Sequence, residues 1–360
     1  MDDGAGSRQC PEGESDVTKV MDQRETNRPI MSVIVPTMNR AHILETICLA
    51  SLATQELAGR MELIVCDASL DTATETVVQE WSSAHPEWVC TYVHATKRGS
   101  CSQRNQAIRL SHGTLLLFLD DDLELLPGAL VALVQAFDRD ANCEYGGFEC
   151  TQVLPSRAQR SGSTAARLAH RWFAGFWGLG TDGGPKRILP TGFNTGGGGI
   201  DHETASALRR AESQVTNVEW MSGCCMAFRA SLLRDRGIRF NERLERFGGY
   251  AVAEDVTVSL SVRREVGLRL GQCSNAQAIH REAPGGRGDD RPRWAARAYN
   301  LRIVWRLAGK PTLPRRFNWL RGQVGSAMGC LGRRRMDRLQ GLVDGWRAIR
   351  LDETRGHLLE

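Results

Sequence analysis

The sequence predicts an open α/β fold, a parallel sheet wrapped by helices, and three observations carry that expectation. Short apolar runs alternate with amphipathic stretches in the order βαβαβαβ between Met31 and Leu119. Acidic residues stand at the carboxyl ends of two of those runs, at Asp67 and Asp120–Asp122, where open sheets of this kind collect ligands. The chain has 360 residues and is 41% hydrophobic, which is enough to bury a large core.

Residues Met1–Arg28 are polar, lack the apolar run of a signal peptide, and read as a flexible N-terminal segment. Met31–Val35 is a first strand, stopped by Pro36. A helix over Ile43–Thr54 leads to a second strand, Glu62–Cys66, which ends at Asp67. A helix over Thr72–Ser82, a strand over Trp88–His94, a helix over Gln103–Leu110 and the strand Thr114–Leu119 follow, then Asp120–Asp122 and a helix over Pro127–Phe137. From Thr151 to Val215 the periodicity fades into Gly, Ser, Thr and Arg, with a glycine run at Gly196–Gly199, so this stretch reads as an irregular lid or binding loop. Order returns at Val218–Met221 and Cys225–Arg229. Helices at Ser231–Arg236 and Asp255–Val266 come next, then a strand pair ending at Ala278, Ile279 and His280. Beyond Gly285–Gly288 the tail is helical, with Trp294, Ala298, Leu301 and Trp305 on one face. Three regions result: a flexible segment (1–28), an α/β domain (29–284) and a basic helical extension (285–360).

The net charge of +4, with no Lys-rich or aromatic-studded basic run, excludes a nucleic-acid partner from the expectation. Positive charge concentrates in the tail, where Arg287–Arg350 holds sixteen Lys and Arg against four Asp and Glu. That tail reads either as a solvated cover for the domain or as an attachment to an anionic membrane surface. In the second case Trp294, Trp305, Phe317 and Trp319 enter the interface and arginines meet headgroups. The eleven cysteines form no C-x-x-C pair and read as reduced thiols. No run approaches the roughly twenty apolar residues of a membrane span. The expected location is the cytoplasm, with peripheral contact on the inner face of the membrane as the variant reading.

The strongest chemical signal is Leu115-Leu-Leu-Phe-Leu-Asp-Asp-Asp122, three carboxylates leaving a buried apolar strand. Strand alternation would project Asp120 and Asp122 to one side, where their oxygens suit Mg²⁺ or Mn²⁺. A solvated acidic turn before the next helix reads equally from these residues alone. Together with Ser32-Val-Ile-Val-Pro-Thr-Met-Asn-Arg40, Leu63-Ile-Val-Cys-Asp67 and Arg104-Asn105, the run resembles the family-2 glycosyltransferases, over about Met31–His280. The resemblance implies the GT-A fold, a Rossmann-like mixed sheet flanked by helices that binds a nucleotide-diphospho-sugar. It further implies that Pro36, Thr37, Arg40, Asp67, Arg104, Asp120 and Asp121 bind the donor, Asp67 through the base, and that Asp120, Asp122 and His280 hold the metal.

Glu254-Asp255 precedes an apolar helix. A carboxylate there can take the proton of an attacking acceptor hydroxyl, and N-capping by Asp255 also explains its place. The resemblance implies Asp255 as base with Glu254 orienting the acceptor, after a Gly-rich turn at Phe247–Tyr250. It also places the acceptor at Val218–Arg229, with Ser222 and Gly223 allowing close backbone approach and Trp220 offering a face to a sugar ring. Core packing is the other reading of Trp220.

The reaction so implied is inverting transfer from a nucleotide sugar, UDP- or dTDP-linked, to a saccharide or lipid-linked hydroxyl in surface polysaccharide or glycolipid synthesis. Guanine would satisfy Asp67 as well as uracil or thymine. A sugar-phosphate nucleotidyltransferase would carry a Gly-rich basic loop after the first strand, and Pro36-Thr-Met-Asn-Arg40 is not one. A non-catalytic carbohydrate or membrane-surface binding module on the same fold is the rival from another class.

Overall fold

The computed structural model describes residues 28–57, 60–154, 164–181, 184–212, 214–249, 251–283 and 290–355. Residues 1–27 of the segment expected to be flexible (1–28), Tyr250 and the Gly285–Gly288 break lie outside them.

Strands β1 (Met31–Thr37), β2 (Met61–Asp67), β3 (Val89–His94) and β4 (Leu115–Leu119) pair in parallel in the order β3-β2-β1-β4. Apolar residues of β1, β2 and β4 are buried on both faces, which is why these strands read as continuous apolar runs rather than alternations. Pro36 lies inside β1 instead of ending it. β4 pairs with β1 only from Met31 to Ile34, so the proline sits beyond the two-sided part of the strand. The flanking helices are a helix over residues 41–52 (α1), α2 (Ala73–Ala84), α3 (Ser100–Leu110) and α4 (Ala129–Arg139).

The second half of the sheet is mixed. β5 (Leu123–Leu125), β6 (Tyr145–Gln152), β7 (Val215–Val218), β8 (Cys225–Arg229) and β9 (Arg269–His280) continue the order as β4-β8-β6-β9-β5, with β7 also on β9. β8 runs antiparallel to β4, and β5 antiparallel to β9. The expected strand pair before His280 is this single strand β9, and the residues between the aspartates and the next helix form strand β5, paired with Ala278–His280. The stretch read as an irregular loop contains two helices, α5 (Thr164–Trp177) and α6 (His202–Arg210). In α6 the side chain of Asp201 caps Thr204 N and only Ala205 is buried, too little for an apolar period to register.

Helix α7 (Glu254–Ser261) precedes β9, and α8 (Asp290–Leu307), α9 (Leu313–Gly332) and α10 (Met336–Thr354) form the tail. The tail is not a loose cover. Tyr299, Ile303, Ala348 and Ile349 belong to the same buried cluster as Ile34 and Phe118, and Asn300 Nδ2 donates to Leu244 O and Val252 O. Gly341 and Gly345 let α10 meet α8, since a Cβ at either would lie 2.3 Å from Arg291 O or 2.6 Å from Ala295 O. Trp305 is buried with its indole N–H on Pro190 O, and Trp294 and Trp319 are partly buried, so of the four aromatics expected at a membrane only Phe317 is exposed. Nine described cysteines are free thiols, but Cys143 is disulfide-bonded, because spacing along a chain does not reveal pairing across it.

Candidate active site

A cleft of about 320 Å³ opens at the carboxyl ends of β1 and β4. Its walls include Thr37 and Arg40, Gln103 and Arg104, Asp120–Asp122, Gly249 and Glu254, and His280. Gln103 anchors it, donating to Thr37 O at 2.8 Å and Cys66 O at 2.7 Å and so tying α3 to the ends of β1 and β2.

β4 stops at Leu119, and Asp120–Asp122 occupy the turn into β5, closed by Leu123 N donating to Asp120 O. The turn, not strand alternation, therefore brings Asp120 and Asp122 together. Arg40 pairs with Asp121 at 2.9 Å and Asp122 at 2.8 Å, while Thr37 Oγ1 donates to Asp121 at 2.6 Å. Asp121, buried and so occupied, acts as a tether for Arg40. His280 Nε2 lies 3.1 Å from Asp122 Oδ1, and Arg104 Nη2 lies 3.0 Å from Asp120.

Burial pushes the Asp121 carboxyl up to about 7 against the pull of Thr37 and Arg40. Asp120 is also raised, by burial, with Arg104 opposing. Burial acts in the same direction on Asp122, but hydrogen bonds from His280 and Arg40 outweigh it and hold this carboxyl below its usual range. His280 is raised: burial lowers it, and the Asp122 hydrogen bond with the nearby aspartate charges more than compensates.

Asp120, Asp122 and His280 offer ligand atoms within 4.8 Å of one another. Two carboxylate oxygens and an imidazole nitrogen fit a small divalent cation, and the nitrogen suits Mn²⁺ better than Mg²⁺.

Opposite the turn, α7 starts after Ala253, which adopts a left-handed conformation (φ 66°) and occupies the N-cap position expected for Asp255. Such a φ is rare outside glycine and marks a backbone held in place by its surroundings. Asp255 instead lies in the first turn, its Oδ2 accepting from Gly223 N at 3.0 Å and its Oδ1 from Val256 N at 2.8 Å. Glu254 lines the cleft, and Asp255 sits behind it against Gly223. A Cβ on Gly223 would lie 3.3 Å from Asp255 Cβ, so glycine permits this close approach.

Arg104, only 2% exposed, joins the two ends: its Nη1 meets Glu254 at 3.1 Å while Nη2 holds Asp120. Burial and then the Asp255 charge push Glu254 up to about 8, with Arg104 opposing. Asp255 is raised by burial, against the two backbone N–H bonds.

Trp220 does not face the cleft. It is 4% exposed, packs with Val256, Leu260 and Val304, donates its indole N–H to Thr195 O, and carries Lys186 Nζ 4.3 Å over its ring. The stacking face expected for a sugar is therefore taken by protein. Asp67 is likewise fully buried and outside the cleft lining; Ser69 N and Oγ hold its Oδ1, and Tyr92 OH reaches Oδ2 at 3.2 Å.

Sequence reasoning missed the support behind Ser222. Glu149 Oε2 accepts from Ser222 N and from Lys186 Nζ, both at 2.6 Å, and Gln152 Nε2 donates to Ser222 Oγ. A glutamate in the middle of the buried strand β6 was the available signal, since a buried charge requires a partner. Nothing in the sequence pointed to Lys186 as that partner.

Residues 32–196 match the family model described as Glycosyl transferase family 2. The chain is 33% identical over 116 residues to an uncharacterized glycosyltransferase of Haemophilus influenzae, covering 32% of this chain and 37% of that protein. It is 36% identical over 107 residues to the GalNAc(5)-diNAcBac-PP-undecaprenol beta-1,3-glucosyltransferase of Campylobacter jejuni, covering 30% of this chain and 34% of that one. The matches thus span about a third of the length of these relatives.

Among solved structures, the mannosyltransferase PcManGT from Pyrobaculum calidifontis in complex with GDP-Man and Mn²⁺ superposes with a TM-score of 0.51 at 19% identity, over 91% of this chain and 88% of that one. GalNAc-T7 with UDP, GalNAc and Mn²⁺ gives 0.53 at 13% identity, over 77% and 48%. At these identities the likeness concerns the fold. Over residues 32–196 the chain therefore matches the family-2 glycosyltransferases, and its sheet and flanking helices have the GT-A fold.

Proposed function

We propose that the chain is an inverting glycosyltransferase that moves a sugar from a nucleotide diphosphate to a hydroxyl of a saccharide or lipid-linked acceptor. The observation that carries this reading is Arg104, which joins the aspartate turn to Glu254 beside Asp255 and so places both ends in one cleft. Asp120, Asp122 and His280 hold Mg²⁺ or Mn²⁺, which when bound supplies positive charge to the departing diphosphate. Pro36, Thr37 and Arg40 line the nucleotide side.

Asp255, kept in place by two backbone N–H groups, takes the proton of the acceptor hydroxyl. Glu254, ion-paired with Arg104 on the cleft wall, orients the acceptor. One base acting without a second nucleophile gives inversion. The donor is a UDP- or dTDP-sugar, whose imide N–H meets Asp67 in place of the longer Tyr92 contact. The name of the Campylobacter jejuni relative describes an undecaprenol-linked acceptor, and a comparable acceptor in surface polysaccharide or glycolipid synthesis, met at the inner face of the membrane, completes the reading.

The test is a panel of nucleotide sugars with Mn²⁺ or Mg²⁺, following nucleotide diphosphate release. One donor should be consumed in a metal-dependent way. Asp255→Asn should slow transfer by roughly 10²–10⁴-fold, the usual worth of a general base, and Asp120→Ala should abolish the response to metal. Silence from every donor, without metal-dependent nucleotide binding, would leave a binding module in its place.

A further inference from the structure

Helix α9 is turned inside out. Its residues Leu313, Phe317, Leu320, Val324, Met328 and Leu331 are 40–80% exposed. Their spacing of three and four puts them on one stripe. Apart from Trp319, which packs on Trp305, the opposite side is small and polar: Gly322, Gln323, Gly325, Ser326 and Cys330. A surface helix of a globular protein has the reverse arrangement.

Beside it lies α5, where Gly325 makes room for Trp177. α5 exposes Trp172 and Phe176 at 72% and 55%, their rings stacked 5.6 Å apart. Scattered exposed apolar residues need no explanation, but two helices in contact that each expose large apolar side chains do.

Within the two segments that carry this surface the charge has one sign. Neither 153–181 nor 311–336 contains a single Asp or Glu, while Arg171, Arg316, Arg333, Arg334 and Arg335 are exposed. A second copy of the chain would bring two acid-free arginine rims together, which disfavours self-pairing. An anionic bilayer meets both features at once: the acyl boundary takes the apolar stripe and lipid phosphates take the arginines. No helix among the described residues is long and apolar enough to cross a membrane, so a helix lying in the interface is the fitting geometry.

We infer that α5 and α9 form a docking face for an anionic lipid surface. One segment joins the face to the chain just before Ser222 and Gly223: Gly322 of α9 packs on Thr191, and Thr195 holds the indole of Trp220.

The test is co-sedimentation of the full chain with vesicles of phosphatidylcholine alone and of phosphatidylcholine mixed with phosphatidylglycerol. Binding should favour the mixed vesicles and fall with added salt. F317S with L320S should weaken it at least tenfold. Each near-surface arginine contributes about fivefold, so R333Q/R334Q/R335Q should also cost tenfold or more on anionic vesicles alone. All these positions are exposed, and an unchanged thermal melt will verify folding. Absence of binding to either vesicle overturns the inference, and so does equal binding to both. A dimer that dissociates on F317S/L320S, seen by sedimentation velocity without vesicle binding, assigns the face to a second copy instead. None of these readouts requires turnover, so they stand apart from the transferase reading.

Discussion

At one end of the cleft, three aspartates are compensated by side chains from three other parts of the fold: Arg40 after β1, Arg104 on α3 and His280 at the end of β9. At the other end, Glu254 and Asp255 have Arg104 and the backbone N–H groups of Gly223 and Val256. Side-chain cations can swing away when a divalent cation arrives, whereas backbone dipoles stay where the fold puts them. The first end is therefore suited to exchange one positive charge for another. The second is suited to hold a single carboxylate in a constant position while a proton moves.

Arg104 belongs to both ends, and removing it should have the largest effect. Arg104→Met leaves Asp120 and Glu254 buried without their cation and should lower stability by about 3–5 kcal/mol in urea unfolding. If the ends are coupled through this residue, adding Glu254→Gln should recover part of the loss; strict additivity of the two changes would break that coupling.

Lys186→Met sharpens the contrast because it touches only the Asp255 end, through Glu149 and Ser222. The loss should be smaller, about 2–3 kcal/mol, since Glu149 is already raised by burial and can protonate. Metal-dependent nucleotide binding should be unaffected in this variant, and a large change there would show that the two ends are not separable.

The smallest effect is expected at Asp352, which serves neither end and ties α10 to Arg246 and Tyr299. Burial pushes its carboxyl up, but the hydrogen bonds from Tyr299 and Arg246 outweigh this and lower it below the usual 3.8. A lowered folded value means that stabilisation is present above the usual value and is lost as pH falls through the folded one. Asp352→Asn should accordingly be slightly less stable than the parent at neutral pH, and the gap should close below about pH 4. A gap that persists into acid would contradict the assignment.

Much of the cleft was legible because its chemistry sits next to its scaffold in the chain. Asp120–Asp122 directly follow an apolar strand, Glu254-Asp255 directly precede an apolar helix, and Arg104 lies in the helix between strands. Trp220 was misread, and Asp67 is more enclosed than its motif suggests, for the opposite reason. Trp220 is covered by Lys186 and Thr195, and Asp67 by Ser69 and Tyr92, so their accessibility is a property of packing that local motifs do not encode. The same holds for the tail, where of the aromatic residues expected at an interface Trp305 proved to be core, Trp294 and Trp319 partly buried, and Phe317 exposed on the apolar stripe of α9.

The sequence by itself determined the alternating α/β scheme, the carboxylate pairs at the ends of the elements and the basic character of the tail, since each rests on composition or on spacing within a few residues. The tertiary structure alone decided that a turn gathers Asp120, Asp122 and His280, that Arg104 spans both carboxylate ends, and that α9 shows its apolar side to solvent. Periodicity reveals which residues share a face; only the neighbours packed against that face decide whether it points inward or out.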